Sequence, residues 1–174
     1  MGLVQIDSVT VSGTVSSIEV GGANWDSSFD TYIVTVNALQ SNTDGVNVYF
    51  RILDSSNNAE TSANYDWARK ILKANTSFSE GALTNQTLDY FVNNTIGTGT
   101  GEVANGILYL YNFNNASEYS FYTLEETERE ASAGNLQGLM GGGTLTLTAQ
   151  HKGVQFSLSS GSFIGGSVTI YGVV

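Results

Sequence analysis

The chain alternates. Val46, Val48, Phe50 and Ile52 interleave with Asn47, Tyr49, Arg51 and Leu53, and a period of two puts each set on its own face of a β-strand. The same period runs through residues 32–36, 88–92, 107–111, 119–124, 145–149, 154–158 and 168–171. Weaker versions occur at 9–11 and 18–20, and residues 65–72 read as a strand with Tyr65, Trp67, Arg69 and Ile71 on one side. Val, Ile, Thr, Tyr and Phe fill these runs, and these residues suit a pleated, half-buried surface. Turn signals punctuate them. Asp44-Gly45 sits between two runs as a hairpin cue, and His151-Lys152-Gly153 and Ser160-Gly161 read as further turns. Turns about 8–12 residues apart predict an all-β, antiparallel sandwich or barrel. The runs add up to about 8–11 strands. Residues 125–133 read as one helical turn or a loop.

The 174 residues fit one domain, 1–174, with polar loops at 55–64 and 95–106 inside it. Several function classes are excluded by composition. Without Cys there is no disulfide framework, thiolate metal site or cysteine nucleophile, and with a single His there is no His-rich zinc site. Six Lys and Arg against 16 Asp and Glu, a net charge of −10, disfavour nucleic acid, whose phosphates need clustered cations. No apolar run approaches the ~18 residues of a membrane-spanning helix. The N-terminus has no basic segment or apolar run of a signal peptide, and Ile6 replaces the Ser or Thr that an acylated Gly2 start requires. Four Asn-x-Ser/Thr sequons, including Asn93-Asn94-Thr95, are read as chance in an Asn-, Ser- and Thr-rich chain. There is no Pro, so folding has no X-Pro isomerisation step.

The ionisable inventory offers few sites. His151 reads as a solvent-exposed turn residue, because no Gly-x-Ser-x-Gly elbow accompanies it. The run Gly138–Gly143 is followed by a strand pattern rather than a helix, so it reads as a bulge or a close backbone crossing, not a phosphate cradle. Glu125, Glu126, Glu128 and Glu130 crowd around Arg129 without the ligand spacing of a calcium loop. They read as a solvated loop, with contact to a basic patch on a neighbouring subunit as the other reading. Asp26, Asp30 and Asp66 lie near Trp25, Phe29 and Trp67. Paired carboxylates beside aromatics occur in glycoside hydrolases, but Asp26 and Asp30 fit a turn better. Trp25 and Trp67, if exposed, would stack a sugar. No catalytic, cofactor or metal residue is assigned.

Three segments carry a family likeness. The first runs from Ile18-Glu19-Val20 through Asp26-Ser27-Ser28-Phe29-Asp30-Thr31-Tyr32 to Asp44-Gly45-Val46-Asn47-Val48-Tyr49-Phe50-Arg51. The second is Ser62-Ala63-Asn64-Tyr65-Asp66-Trp67-Ala68. The third runs from Gly153-Val154-Gln155-Phe156-Ser157-Leu158 to Gly166-Ser167-Val168-Thr169-Ile170-Tyr171-Gly172. In these the chain resembles the small β-sandwich virion proteins and tail-fibre-like domains of tailed, especially marine, bacteriophages. The resemblance implies a jelly-roll-like sandwich on the outer virion surface. It implies a non-enzymatic protein made in the host cytoplasm and assembled with its own copies, as a trimer or higher oligomer, and with other virion proteins. It carries over no catalytic residue and does not extend to a fibre stalk. Within it stand a tail-fibre or spike-type appendage, a capsid decoration protein and a glycan-binding module for host attachment.

Overall fold

The computed structural model describes residues 2–174. Met1 and the Asn94 side chain lie outside the described residues, and with them the first residue of the Gly2 start and the middle of one sequon. Twelve strands follow one another: β1 (Leu3–Thr10), β2 (Ser17–Gly21), β3 (Thr31–Ser41), β4 (Val46–Asp54), β5 (Tyr65–Lys73), β6 (Phe78–Gln86), β7 (Asp89–Ile96), β8 (Ala104–Tyr111), β9 (Ser120–Arg129), β10 (Leu136–Leu145), β11 (His151–Leu158) and β12 (Phe163–Val173). A single 3-10 turn, Gly22–Asn24, follows β2.

The strands form two antiparallel sheets, and the chain is an all-β sandwich. One sheet has the order β1-β12-β3-β8-β9-β10-β5-β6 and the other β2-β11-β4-β7. The quartets β1-β12-β3-β8 and β2-β11-β4-β7 are a jelly roll: first strand pairs with last, second with next to last, and the chain winds inward from both ends. Two hairpins are added to this frame. β5 and β6 are inserted between β4 and β7, β9 and β10 between β8 and β11, and both extend the same sheet beyond β8. The large sheet therefore runs past the small one, whose last strand is β7.

Between the two quartets lies the apolar core. Val46, Val48, Phe50 and Ile52 all point inward as the alternation predicts, as do Tyr32, Val34 and Val36 of β3. Phe50 meets Tyr122 edge-on at 5.0 Å and Phe91 meets Phe156 at 5.4 Å, a T-shaped geometry that aromatic quadrupoles favour.

Several expectations are corrected. Asp44-Gly45 does turn, with Gly45 at φ 71°. It does not close a hairpin, because β3 and β4 belong to different sheets. Each strand finds its partners elsewhere, β3 on β12 and β8, β4 on β11 and β7. Ser160-Gly161 is likewise a crossing, from β11 to β12. His151-Lys152-Gly153 is no turn: it opens β11. The pattern at 145–149 is not a strand, since β10 ends at Leu145 and Thr146 turns to hydrogen-bond the Asn64 carbonyl. The glycine run lies within β10 in unbroken register with both neighbours, so it is a close crossing and not a bulge. Residues 125–129 continue β9.

Candidate functional site

Where the large sheet leaves the small one, its inner face changes character. On β9 the inward positions read Ser120, Tyr122, Leu124, Glu126 and Glu128, and Glu130 follows them inward. β5 contributes Tyr65, Trp67, Arg69 and Ile71, on the shared face that the alternation predicts. β10 lies between them and contributes Gln137, Leu139 and two glycines. The glycines are needed because large side chains arrive from both sides. A Cβ on Gly143 would stand 2.3 Å from Tyr122 Oη and 2.5 Å from the Asp66 carbonyl, and one on Gly141 would stand 2.7 Å from Arg69 Cβ.

Under β7 this face holds a row of charge. Arg69 ion-pairs with Asp89 and donates Nη1 to the Tyr90 carbonyl at 3.0 Å. Its guanidinium covers the Trp67 ring at 3.8 Å. Tyr122 Oη donates to Asp89 Oδ2 at 2.7 Å, and the Tyr90 N–H to Oδ1 at 2.6 Å. Burial lowers Arg69 to about 10 and raises the Tyr122 phenol. Further along, Lys73 Nζ meets Glu130 Oε1 at 3.2 Å, and Gln137 Nε2 donates to Glu128 Oε1 at 2.8 Å. Both oxygens of Glu126, and Oε2 of Glu128 and of Glu130, are buried without a hydrogen-bond donor among the described residues. Burial, then the charge of Glu128, raises Glu126 well above the carboxylate range, and burial raises Glu128 to about 8. A proton on Glu126 supplies the donor that the pair lacks.

The solvated-loop reading of these acids is thus overturned. Glu125 faces out, but Glu126, Glu128 and Glu130 are 5%, 2% and 8% exposed within one chain. The signal was present as strict alternation of Glu126, Glu128 and Glu130 with Glu125, Thr127 and Arg129. His151 is corrected too. It is 1% exposed, its Nδ1 lies 2.7 Å from Ser120 Oγ, and burial pushes it down to about 4. Ser120 is equally enclosed. Among the described residues no three His, Cys, Asp or Glu are arranged to hold a metal ion.

Trp67 is 7% exposed, with Arg69 on its ring. Trp25 is half-buried beside β3, which three strands separate from β5 in the large sheet, packed on Tyr32 at 4.0 Å and donating Nε1 to Asn114 Oδ1 at 3.0 Å. The two tryptophans therefore do not form one surface. Asp26 caps the Ser28 N–H at 2.9 Å, the turn role expected of it. Asp66 accepts from the Asn85 N–H at 2.8 Å, far from Asp26 in the sheet order.

The outer face of the extension sets apolar side chains around Lys70, Glu80 and Glu125. Leu72 pairs with Phe78 across β5 and β6, and Leu136 and Met140 flank Gly138, which faces Leu72 on β10. These four side chains are 41%, 70%, 60% and 49% exposed. Beside them a trough of about 540 Å³ runs over Ala68, Ala82 and Gly142. β6 is hydrogen-bonded only to β5, and none of its nine residues is buried.

No protein-family model and no curated protein sequence matches the chain. Among solved structures, the VP2 subviral particle of infectious bursal disease virus is 11% identical, over 97% of this chain and 41% of that one, with a TM-score of 0.15. The structure of the Gx strain of that virus gives 11% identity, 97% and 40% coverage and a TM-score of 0.16. The chain spans about two fifths of the length of these proteins.

Proposed function

We propose that this protein is a non-enzymatic structural component of a bacteriophage virion, exposed on the outer particle surface and assembled with its own copies in a fibre- or spike-type appendage. The observation that carries the reading is the overhanging half of the large sheet. It ends in an open strand, β6, and presents Leu72, Phe78, Leu136 and Met140 to solvent. A strand edge is a row of unpaired donors and acceptors, and proteins that stay alone guard such edges with Lys, Pro or bulges. From Phe78 to Leu83, β6 has no Lys, no Pro and no break in register. Its single charge is Glu80. Across the strand pair Glu80 lies opposite Lys70, so on a molecule of net charge −10 this edge carries a cation beside its one carboxylate. Jelly rolls serve in viral capsids and in lectins, and that analogy of fold adds a prior only.

Capsid decoration uses the same surface at higher copy number. Glycan binding has less support, because Trp67 is enclosed and Trp25 is packed against Tyr32. Quantitative mass spectrometry of purified particles tests the reading. A few copies per particle, with adsorption blocked by antibodies to the protein, supports an appendage. Hundreds of copies, removable without loss of adsorption, support decoration. Absence from particles refutes both.

A further inference from the structure

The charged row under β7 cannot be ionised throughout. Four carboxylates, Asp89, Glu126, Glu128 and Glu130, share the space with two cations, Arg69 and Lys73. However the pairs are drawn, two negative charges stay unbalanced in a buried place, where an uncompensated charge is costly. Arg69–Asp89 and Lys73–Glu130 are the pairs within bonding distance, so the excess falls on Glu126 and Glu128. Both oxygens of Glu126 and one of Glu128 lack a donor among the described residues.

These two carboxyls lie at a joint between the sheets. β9 belongs to the large sheet and β7 is the last strand of the small one. Glu126 is paired in register with Gly106. A Cβ at Gly106 would stand 2.9 Å from the Phe91 ring of β7. Just past Glu130, the Ala131 N–H donates to the Thr95 carbonyl of β7 at 2.8 Å. The charged groups that act on the pair are Arg69 and Lys73 from β5 and Glu130 just past β9, while Asp89 and Tyr90 from β7 and Tyr122 from β9 gather around Arg69. Opposite the pair β10 contributes Gln137 and Leu139, and β8 contributes Ala104 and Gly106, none of them ionisable. Asp44 and Glu102 converge on Gly97 at the far end, beside Ala131.

We propose that the joint between β7 and β9 is a proton-operated latch: the Glu126–Glu128 pair holds the sheets together while it carries a proton and pushes them apart once fully ionised. The folded state keeps protons on these groups at a pH where the unfolded chain has lost them. For Glu128 the stabilisation is therefore complete below the ordinary value of 4.5 and is lost as pH rises through about 8, and Glu126, also raised well above 4.5, acts in the same direction. His151 titrates below about 6.5, and the α-amino group, which titrates between about pH 6.5 and 9, is common to the wild type and the glutamine variant, so the difference between the two proteins over that interval reports the latch.

The test is urea unfolding of the wild-type protein and of E126Q/E128Q across that interval, with amide hydrogen exchange in residues 89–96 and 126–131. In the wild type, the unfolding constant should rise up to about tenfold per pH unit for each proton released. Exchange at the joint should quicken beyond the intrinsic base-catalysed rate. The glutamine variant should stay flat and exchange more slowly at pH 9. Parallel pH profiles for the two proteins overturn the proposal. If the double variant does not fold, a wild-type midpoint that stays constant from pH 6.5 to 9 overturns it alone. Added calcium that restores wild-type stability at pH 9, reversed by EDTA, also overturns it, by assigning the pair to a cation instead.

Discussion

The two halves of the large sheet bury different things. Between the jelly-roll quartets, the inner face is hydrocarbon and aromatic ring: Val34, Val36, Phe50, Phe156, Val168 and Ile170 are all at most 4% exposed. In the extension, the inner face carries Arg69, Glu126 and Glu128, with Asp89 of β7 paired to Arg69, while apolar side chains such as Phe78 and Leu136 face water. The first half is covered by a second sheet on one side and needs nothing more. The second half has one strand of cover, β7, and its outer face remains open. A sandwich whose sheets match in width can close on itself, and one whose sheets do not match is left with a surface to use.

The largest expected effects separate the halves by mechanism. Phe156→Ala removes core volume and should cost about 3–5 kcal/mol, with little dependence on pH. Arg69→Met leaves Asp89 buried without its cation and should cost a similar ~3–5 kcal/mol at neutral pH. Urea titrations at pH 7 check both, and an Arg69→Met penalty below about 1 kcal/mol would break the distinction. Next comes Gly143→Val, which drives a branched side chain into Tyr122 and the Asp66 carbonyl and should cost about 3 kcal/mol or more. Gly138→Val is the control, because a Cβ there meets nothing nearer than 3.5 Å. It should be close to neutral by thermal melting.

A smaller effect belongs to the jelly-roll half. His151 is held below its ordinary value of 6.5, at about 4. Its stabilisation is therefore present above pH 6.5 and lost as pH falls through about 4. That amounts to roughly 3 kcal/mol on the acid side, and His151→Gln should remove this acid dependence. With the latch, the sandwich then loses stability at both ends of the pH scale, for opposite reasons and in opposite halves. The smallest effect should come from Leu72→Ser, a change on the open face expected to stay within about 0.5 kcal/mol. A larger loss would mean that the outer patch already stabilises the single chain.

Much of the jelly-roll half could be read from the sequence, because burial on one face writes itself as alternation. Val46 to Ile52 shows it in one segment. What could not be read is which strand pairs with which. Asp44-Gly45 has hairpin chemistry, yet β3 and β4 part there into different sheets, since hydrogen-bond partners come from the far end of the chain. β6 was missed because a strand exposed on both faces has no hydrophobic period to display. The site was obscured for another reason. Glutamate is normally a surface residue, so three of them in strand register read as a solvated loop even though Arg69 shares a strand face with Trp67. Burying acids requires cations and protons from other strands, and the sequence does not bring those strands together.

The central claim is that the overhanging half is a surface for further copies. Sedimentation of the wild-type protein against F78K/L83K tests it most directly, because lysine on an edge strand blocks pairing without entering a core. Both positions are exposed, at 70% and 46%, so the variant should keep the wild-type circular dichroism and melting temperature. The expected result is a concentration-dependent oligomer for the wild type and a monomer for the variant. A wild-type monomer at every concentration, or an oligomer that the two lysines leave intact, would contradict it.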